Sequence, residues 1–387
     1  MPDAASCSSE VDGGLTVGVE EEFQLVDLVT GALSPSASRV VPRADGADAA
    51  GGRVEHELYL SQVETASPVC RSLDELRRSL VEQRAAVASA ARVEGCGVVA
   101  AGTHPFAEWP RQTLTPKAPY VGIGERYAHL ADEQLLFGCH VHVAVADREE
   151  RIRVLDHVRP WLAHLLALSA SSPYWEGIDT GYASYRHVMF GRWPTHGTPQ
   201  PFESWADFER LRDGLLDSGA VDAPGRLYWS VRPSARYETL EFRVSDVCST
   251  VDEAVMVAGL VRGLVHVSLD AVRRDVPPPA VRGELVRMAE WQAARFGLDD
   301  ALLDLSQAGG APALRPAADV VGALVHHVRP GLEAEGDLDV VAELVRRVAD
   351  EGNSATRQRA AVAAGLTLVE LVERLRGETT AGWGAAG

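Results

Sequence analysis

The chain is expected to fold as an α+β protein around a mainly antiparallel sheet, curved so that one face forms a funnel. Three observations predict this. Segments with alternating polar and apolar residues fill the first two-thirds, without the regular helix-length crossovers that a doubly wound parallel sheet needs. Helical patterns dominate the last third. Four separate strand regions carry acids or imidazoles at alternating positions, so one concave face can collect them.

Composition narrows the class. With 387 residues the chain suits one large domain or two ordinary ones. No repeat or long linker divides it, so residues 1–14 read as a lead-in, 15–377 as a single domain and 378–387 as a frayed tail. A hydrophobic fraction of 46% and a charged fraction of 24% are those of a soluble globular protein. The net charge of −18 argues against nucleic acid or an anionic membrane as partner. Lys117 is the single lysine, within Thr115-Pro-Lys-Ala-Pro119. That excludes a P-loop, and it leaves only a proline-rich loop to supply a Schiff-base amine. Any phosphate must therefore be handled by arginine and metal. Cys7, Cys70, Cys96, Cys139 and Cys248 are odd in number and widely spaced, which fits reduced thiols rather than disulfides or zinc. No basic-then-apolar leader and no apolar run of about 18 residues is present, so a cytoplasmic protein is expected.

Taken in order, Thr16–Asp27 is the first strand. Val17, Val19, Glu21, Phe23 and Leu25 share one face, and Gly18, Glu20, Glu22 and Gln24 the other. Two like charges side by side repel, and a divalent cation would offset them. On this stretch alone, an edge strand with a solvated acidic face explains them equally well. Parity sends Glu21 to the far side of the sheet, where it needs a partner. Arg43–Gly52 reads as a loop and Arg53–Ser67 as a strand or strand pair carrying Glu55, Glu57 and Glu64. Glu57 and Glu64 are seven apart, so the strand must break between them for both to reach one site.

Ser72-Leu-Asp-Glu75 is a capping box opening a helix to about Glu94, closed by Gly95. Val98–Gly102 is a short buried strand, and Glu125–Glu133 a helix. Leu135–Val145 is the clearest strand, with His140 and His142 on one face and Val141, Val143 and Val145 on the other. Asp147 caps a helix to about residue 170, kinked at Pro160. Gly181–Trp193 is a loop or short helix rich in aromatics and arginine, and Ser204–Leu216 a helix. Strands at Leu227–Arg232 and Tyr237–Asp246 follow. On the second, Thr239, Glu241, Arg243 and Ser245 share a face. A second capping box, Thr250–Glu253, opens helices that continue to about Arg376, broken at Pro277-Pro-Pro279, Gly309-Gly310 and Pro330-Gly331.

Together, Glu20 with Glu22, Glu57 with Glu64, His140 with His142, and Glu241 with Arg243 make an oxygen-rich cage with a few nitrogen donors. Such a cage suits Mg²⁺ or Mn²⁺ better than structural zinc. Several carboxylates imply more than one ion, and multiple hard cations usually clamp phosphates. Satisfied core histidines, a solvated Glu64 and a same-face Glu241–Arg243 salt bridge are the plainer explanations. Their joint occurrence on four strands disfavours them.

The motifs Gly18-Val-Glu-Glu-Glu22, His56-Glu-Leu to Val63-Glu-Thr65, Gly138-Cys-His-Val-His142, Ser172-Pro-Tyr-Trp-Glu-Gly177 with Tyr182-Ala-Ser-Tyr-Arg186, and Tyr237-Glu-Thr-Leu-Glu-Phe-Arg243 occur in that order. They resemble the carboxylate–amine ligases of the type 2 glutamate–cysteine ligase family, from about residue 15 to 375. The resemblance implies a glutamine-synthetase-like fold and an ATP-dependent ligase that passes through an acyl phosphate. It implies Glu20, Glu22, Glu57, Glu64, His140 and Glu241 as metal ligands, Arg186 on the glutamate substrate and Arg243 near the transferred phosphate. His142 has a less secure counterpart. Tyr182 and Tyr185 are candidates to wall the substrate pocket, beside Trp193. ATP, Mg²⁺ (or Mn²⁺), a glutamate-like carboxylate, an amine such as cysteine and a homodimer are the implied partners. A divalent-metal hydrolase using the same cage, and a relative whose activity has lapsed, are the alternatives.

Overall fold

The computed structural model describes residues 14–45, 51–108, 110, 112–306 and 312–381. The strands are β1 (Val17–Asp27), β2 (Arg53–His56), β3 (Gln62–Ala66), β4 (Cys96–Val99), β5 (Gly138–Ala144), β6 (Tyr174–Trp175), β7 (Ile178–Asp179), β8 (Val231–Pro233), β9 (Thr239–Asp246), β10 (Ala301–Asp304) and β11 (Ala313–Pro316). The main sheet runs β2-β3-β1-β5-β9-β8, with β4 also on β1. Each of its pairings is antiparallel. This is the expected α+β architecture.

The back of the sheet is the core. Val17, Val19, Val141, Val143, Leu240 and Phe242 pack there with helices Leu162–Ser169 and Val251–Arg273. The second helix is apolar nearly all round, as a helix buried on every side must be. By length and hydropathy it could cross a membrane, but most of it is buried within the protein. Its start is fixed by the Thr250–Glu253 capping box, with both reciprocal bonds formed. At Ser72 only half of the expected box forms. The Ser72 hydroxyl accepts from Glu75 N–H, while the Glu75 carboxylate takes Arg71 N–H instead.

Glu21 is fully buried behind the sheet. Arg84, from helix Leu73–Val93, meets it with two bonds, Nη2–Oε1 at 2.5 Å and Nε–Oε2 at 3.1 Å. The remaining Arg84 donors reach the carbonyls of Cys248, Ser249 and Thr379. That ties β1, the post-β9 segment and the last helix to one guanidinium.

Several elements differ from the expectation. Helix Ala37–Asp45 enters the stretch read as a loop, with residues 46–50 outside the described residues. The helix expected at Glu125–Glu133 is instead Ala118–Tyr127 followed by His129–Asp132. At Pro160 the chain breaks as Arg148–Val158, a 3₁₀ turn at Arg159–Trp161, and Leu162–Ser169, because proline removes a helical donor. Pro330 interrupts nothing and lies inside helix Ala317–Glu335. A hairpin, β10–β11, sits in the third read as all helix, and Gly309-Gly310 lies outside the described residues. The last helix runs through Thr379, which is buried. Cys70, Cys96, Cys139 and Cys248 are buried free thiols, and Cys7 lies outside the described residues.

Candidate active site on the concave face

Register brings the polar residues together. Glu64 lies opposite Glu22 and Glu55, Glu20 opposite His140, and His142 opposite Glu241, which also faces Arg232. One continuous polar row therefore crosses β2-β3-β1-β5-β9-β8. The strand break expected between Glu57 and Glu64 is a turn. β2 ends at His56 and β3 returns from Gln62, with His56 opposite Val63.

The cage is electrostatically uneven. Burial pushes Glu57 up to about 8, with the Glu22 charge adding to the effect. Burial also raises Glu64 well above the carboxylate range, and Glu20, Glu57 and Glu22 reinforce it. For Glu20 burial acts upward too, but the His140 hydrogen bond and the closeness of both imidazoles, His140 and His142, outweigh it and hold the group low. Like charges at this spacing cannot all ionise without cations.

Two donor groups show where cations fit. Glu20, Glu64 and His140 place one ligand atom each within 4.8 Å of one another, and so do Glu20, His142 and Glu241. His140 Nδ1 is 3.2 Å from Glu20 Oε2 and 3.3 Å from Arg243 Nη1. A guanidinium only donates and a carboxylate only accepts, so no neutral tautomer of His140 suits both. His142 Nε2 is buried without a hydrogen bond, 3.5 Å from Glu20 Oε1, while its Nδ1 contacts Thr239 Oγ1 at 3.0 Å. An unpartnered imidazole nitrogen beside a carboxylate is a fitting donor set for a hard divalent ion with some nitrogen ligation.

Glu241 and Glu22 are partly committed elsewhere. Arg232 grips Glu241 with Nε–Oε2 at 2.8 Å and Nη2–Oε1 at 2.9 Å, and Arg243 Nη1 reaches Oε1 at 2.5 Å. Burial alone would raise Glu241, but these two guanidiniums hold it below the usual range. Gly138 N–H donates to Glu22 Oε2 at 2.6 Å.

At the other end of the row, Arg186 is 2% exposed, on a short helix capped by Ser184. Its Nη2 approaches the Arg243 carbonyl at 3.5 Å and its Nη1 lies 3.8 Å from Asp246 Oδ1. The Nε atoms of Arg186 and Arg243 are both buried without a partner. Gly138 makes this approach feasible: a Cβ there would overlap the Arg186 guanidinium and lie 3.1 Å from His140 Nε2. Tyr182 and Tyr185 stand 6.1 Å apart, ring to ring. Tyr182 lies under the Arg295 guanidinium, and Tyr185 faces Trp175. Among the described residues, neither ring bonds to the cage.

Sequence reasoning missed Arg232 and Asp246. Arg232 had a signal, since it ends a strand facing the Glu241 strand. Asp246 had none, because β9 carries an extra residue opposite Cys139–Val141. Past this bulge Ser245 pairs with Cys139, on the back face, and Asp246 with Gly138. The expectation that Ser245 shares the face of Glu241 is therefore corrected. Asp246 accepts from Ser171 N–H and from the hydroxyls of Ser172 and Ser184, which anchors the Arg186 segment.

The curved sheet is the one shared with a solved glutamate–cysteine ligase, and the chain is an ATP-dependent carboxylate–amine ligase acting on small molecules. Residues 16–375 match glutamate–cysteine ligase family 2, and the chain belongs to that family. Relatives under the provisional name glutamate–cysteine ligase 2 include one from Rhodopirellula baltica, 39% identical over 89% of this chain and 92% of its own. Another, from Frankia alni, is 43% identical over 95% and 98%. Among solved structures, the Francisella tularensis glutamate–cysteine ligase in complex with AMP superposes with a TM-score of 0.70 at 12% identity. It covers 95% of this chain and 89% of that one. The Pasteurella multocida bifunctional glutathione synthetase gives 0.63 at 15% identity, over 94% and 52%. At these identities the structures speak for the fold alone.

Proposed function

We propose that the protein joins a glutamate-like carboxylate to an amine, cysteine among the candidates, with ATP activating the carboxylate as an acyl phosphate. The observation that carries this reading is the pairing of a carboxylate–imidazole cage with two buried guanidiniums, each with an unpartnered Nε. Arg186 takes the substrate carboxylate that is not activated, within a pocket to which Tyr182 and Tyr185 contribute. Arg243, aimed at His140 and Glu241, faces the transferred phosphoryl group, where equatorial charge needs a fixed cation. Glu20, Glu22, Glu57, Glu64, His140 and Glu241, with His142, hold Mg²⁺ or Mn²⁺, which supplies charge neutralisation for the phosphates. No enzyme nucleophile is needed, because the amine attacks the activated carbonyl itself. Residues 15–377 act as one catalytic domain in a cytoplasmic, homodimeric enzyme.

The test is incubation with ATP, Mg²⁺, glutamate and a broad panel of amines, following ADP release and identifying products by mass. Amine-dependent ADP release with a matching amide supports the reading. Its absence across the panel sinks it, and hydrolysis of phosphate esters without ATP would favour a hydrolase.

A further inference from the structure

Arg53 and Tyr237 come from opposite sides of the sheet. Arg53 is on β2, and Tyr237 lies in the turn before β9, four strands away in the order β2-β3-β1-β5-β9. In a flat sheet those strands would be about 19 Å apart. Yet Arg53 Nη2 donates to Tyr237 Oη at 2.8 Å. The sheet has curled until its two sides touch across the polar face.

The contact lies at a definite end of the row. Arg53 is opposite Ala66, which is opposite Glu20. The Tyr237 ring meets His142 edge to face, with centroids 6.1 Å apart. The Arg53–Tyr237 bridge thus lies over Glu20 and His142, while Arg186 and Asp246 mark the other end. Three features set it apart from a surface salt bridge. The Arg53 partner is the Tyr237 hydroxyl, and among the described residues no carboxylate lies within ion-pair distance of the guanidinium, although the charges of Glu55 and Glu20 act on it from further off. Tyr237 keeps 44% of its surface exposed, which leaves part of a ring open to a ligand. Where its metal ions do not neutralise it, the neighbouring carboxylate-rich cage repels a polyphosphate, so a cation at the rim is what such a ligand needs on approach.

We propose that Arg53 and Tyr237 form a clasp that admits and then holds the nucleotide: the Arg53 guanidinium takes a phosphate of the polyphosphate chain, and the Tyr237 ring covers the base. This rests on the reading of the protein as an ATP-dependent ligase. The Arg53–Tyr237 hydrogen bond exchanges for an Arg53–phosphate bond on binding, and the bond with opposite charges on both donor and acceptor is the stronger of the two. The ring face supplies stacking area without base specificity of its own.

Equilibrium binding of ATP, inorganic tripolyphosphate and adenosine, by calorimetry on the full chain with Mg²⁺, separates the two roles. Steady-state KM values for ATP and glutamate accompany it. For Arg53→Ala, ATP and tripolyphosphate binding should each weaken about tenfold, with adenosine and the glutamate KM unchanged. Arg53→Lys should recover part of the loss. Tyr237→Ala should weaken ATP and adenosine but not tripolyphosphate, and Tyr237→Phe, which keeps the ring and frees Arg53, should bind ATP as tightly as the parent or more so. Arg53→Ala with parental affinity for ATP and tripolyphosphate overturns the clasp. A parent protein that binds ATP but joins no amine, together with the losses above, keeps the clasp and removes the ligase reading. A parent that does not bind ATP removes both.

Discussion

Glu20 and Glu21 are adjacent glutamates with opposite surroundings. Glu20 faces histidines and carboxylates in the cage, and Glu21 meets Arg84 in the core. Glu20→Gln is expected to leave the denaturation midpoint nearly unchanged and to abolish turnover. Glu21→Gln strands the Arg84 charge among carbonyls, so about 3–5 kcal/mol of stability should be lost. Urea denaturation of both variants checks this, and equal midpoints would mean that the parity assignment is wrong. Gly138 is a second decisive position. Gly138→Ala pushes a methyl group into Arg186, so the carboxylate KM should rise about tenfold while the ATP KM stays put. Arg186→Ala should show the same split more strongly. Equal losses for both substrates in these two variants would remove Arg186 from the carboxylate site.

At the scale of elements, the β9 bulge decides which side chains serve the site. Asp246→Asn keeps the shape and loses the charge opposite Arg186, so kcat/KM for the carboxylate should fall about tenfold with the fold retained. Ser245→Ala, on the back face, should leave the kinetics alone. A kinetic effect from Ser245→Ala with none from Asp246→Asn would restore the simple alternation. The alternation itself was legible wherever strands are regular: Glu20, Glu22, His140, His142 and Glu241 could be assigned to one face because pleat period survives in sequence. It failed at the bulge, since one extra residue inverts every later position and leaves no compositional mark. The same limit explains the β10–β11 hairpin, whose short strands carry too few residues to stand out among helices. Pro330 misled for another reason. A proline reads as a break, but here the rest of helix Ala317–Glu335 is held by packing of Val320, Val321, Leu324, Val328 and Leu332 into the core. Such tertiary burial is invisible to a local rule.

At the scale of the whole molecule, buried carboxyls make stability depend on solution conditions. Glu290, away from the cage, is pushed up to about 7 by burial, against the hydrogen bond from Thr198 and the charges of Arg159 and Arg287. Between the unfolded carboxylate pKa of about 4.3 and 7, the folded state binds more protons than the unfolded one. Stability contributed by this group must therefore fall as pH rises through that window. Glu290→Gln should flatten the fall of Tm between pH 5 and 7, and an unchanged slope would show that Glu290 does not titrate there. The cage adds a larger dependence. Glu20, Glu22, Glu57 and Glu64 crowd one face with only partial compensation from His140 and His142, so the folded chain alone can gather these ligands for a cation. Binding to the folded state alone stabilises it by about 2.7 kcal/mol at a hundred times Kd. Thermal unfolding should therefore shift upward with added Mg²⁺ or Mn²⁺ and return on chelation. In Glu64→Gln the metal-dependent shift should shrink, while the metal-free Tm holds or rises because this buried position no longer has to take up a proton on folding. A parent protein whose Tm ignores both ions would mean that the carboxylates are reconciled by protonation alone, and the cage would then hold no metal.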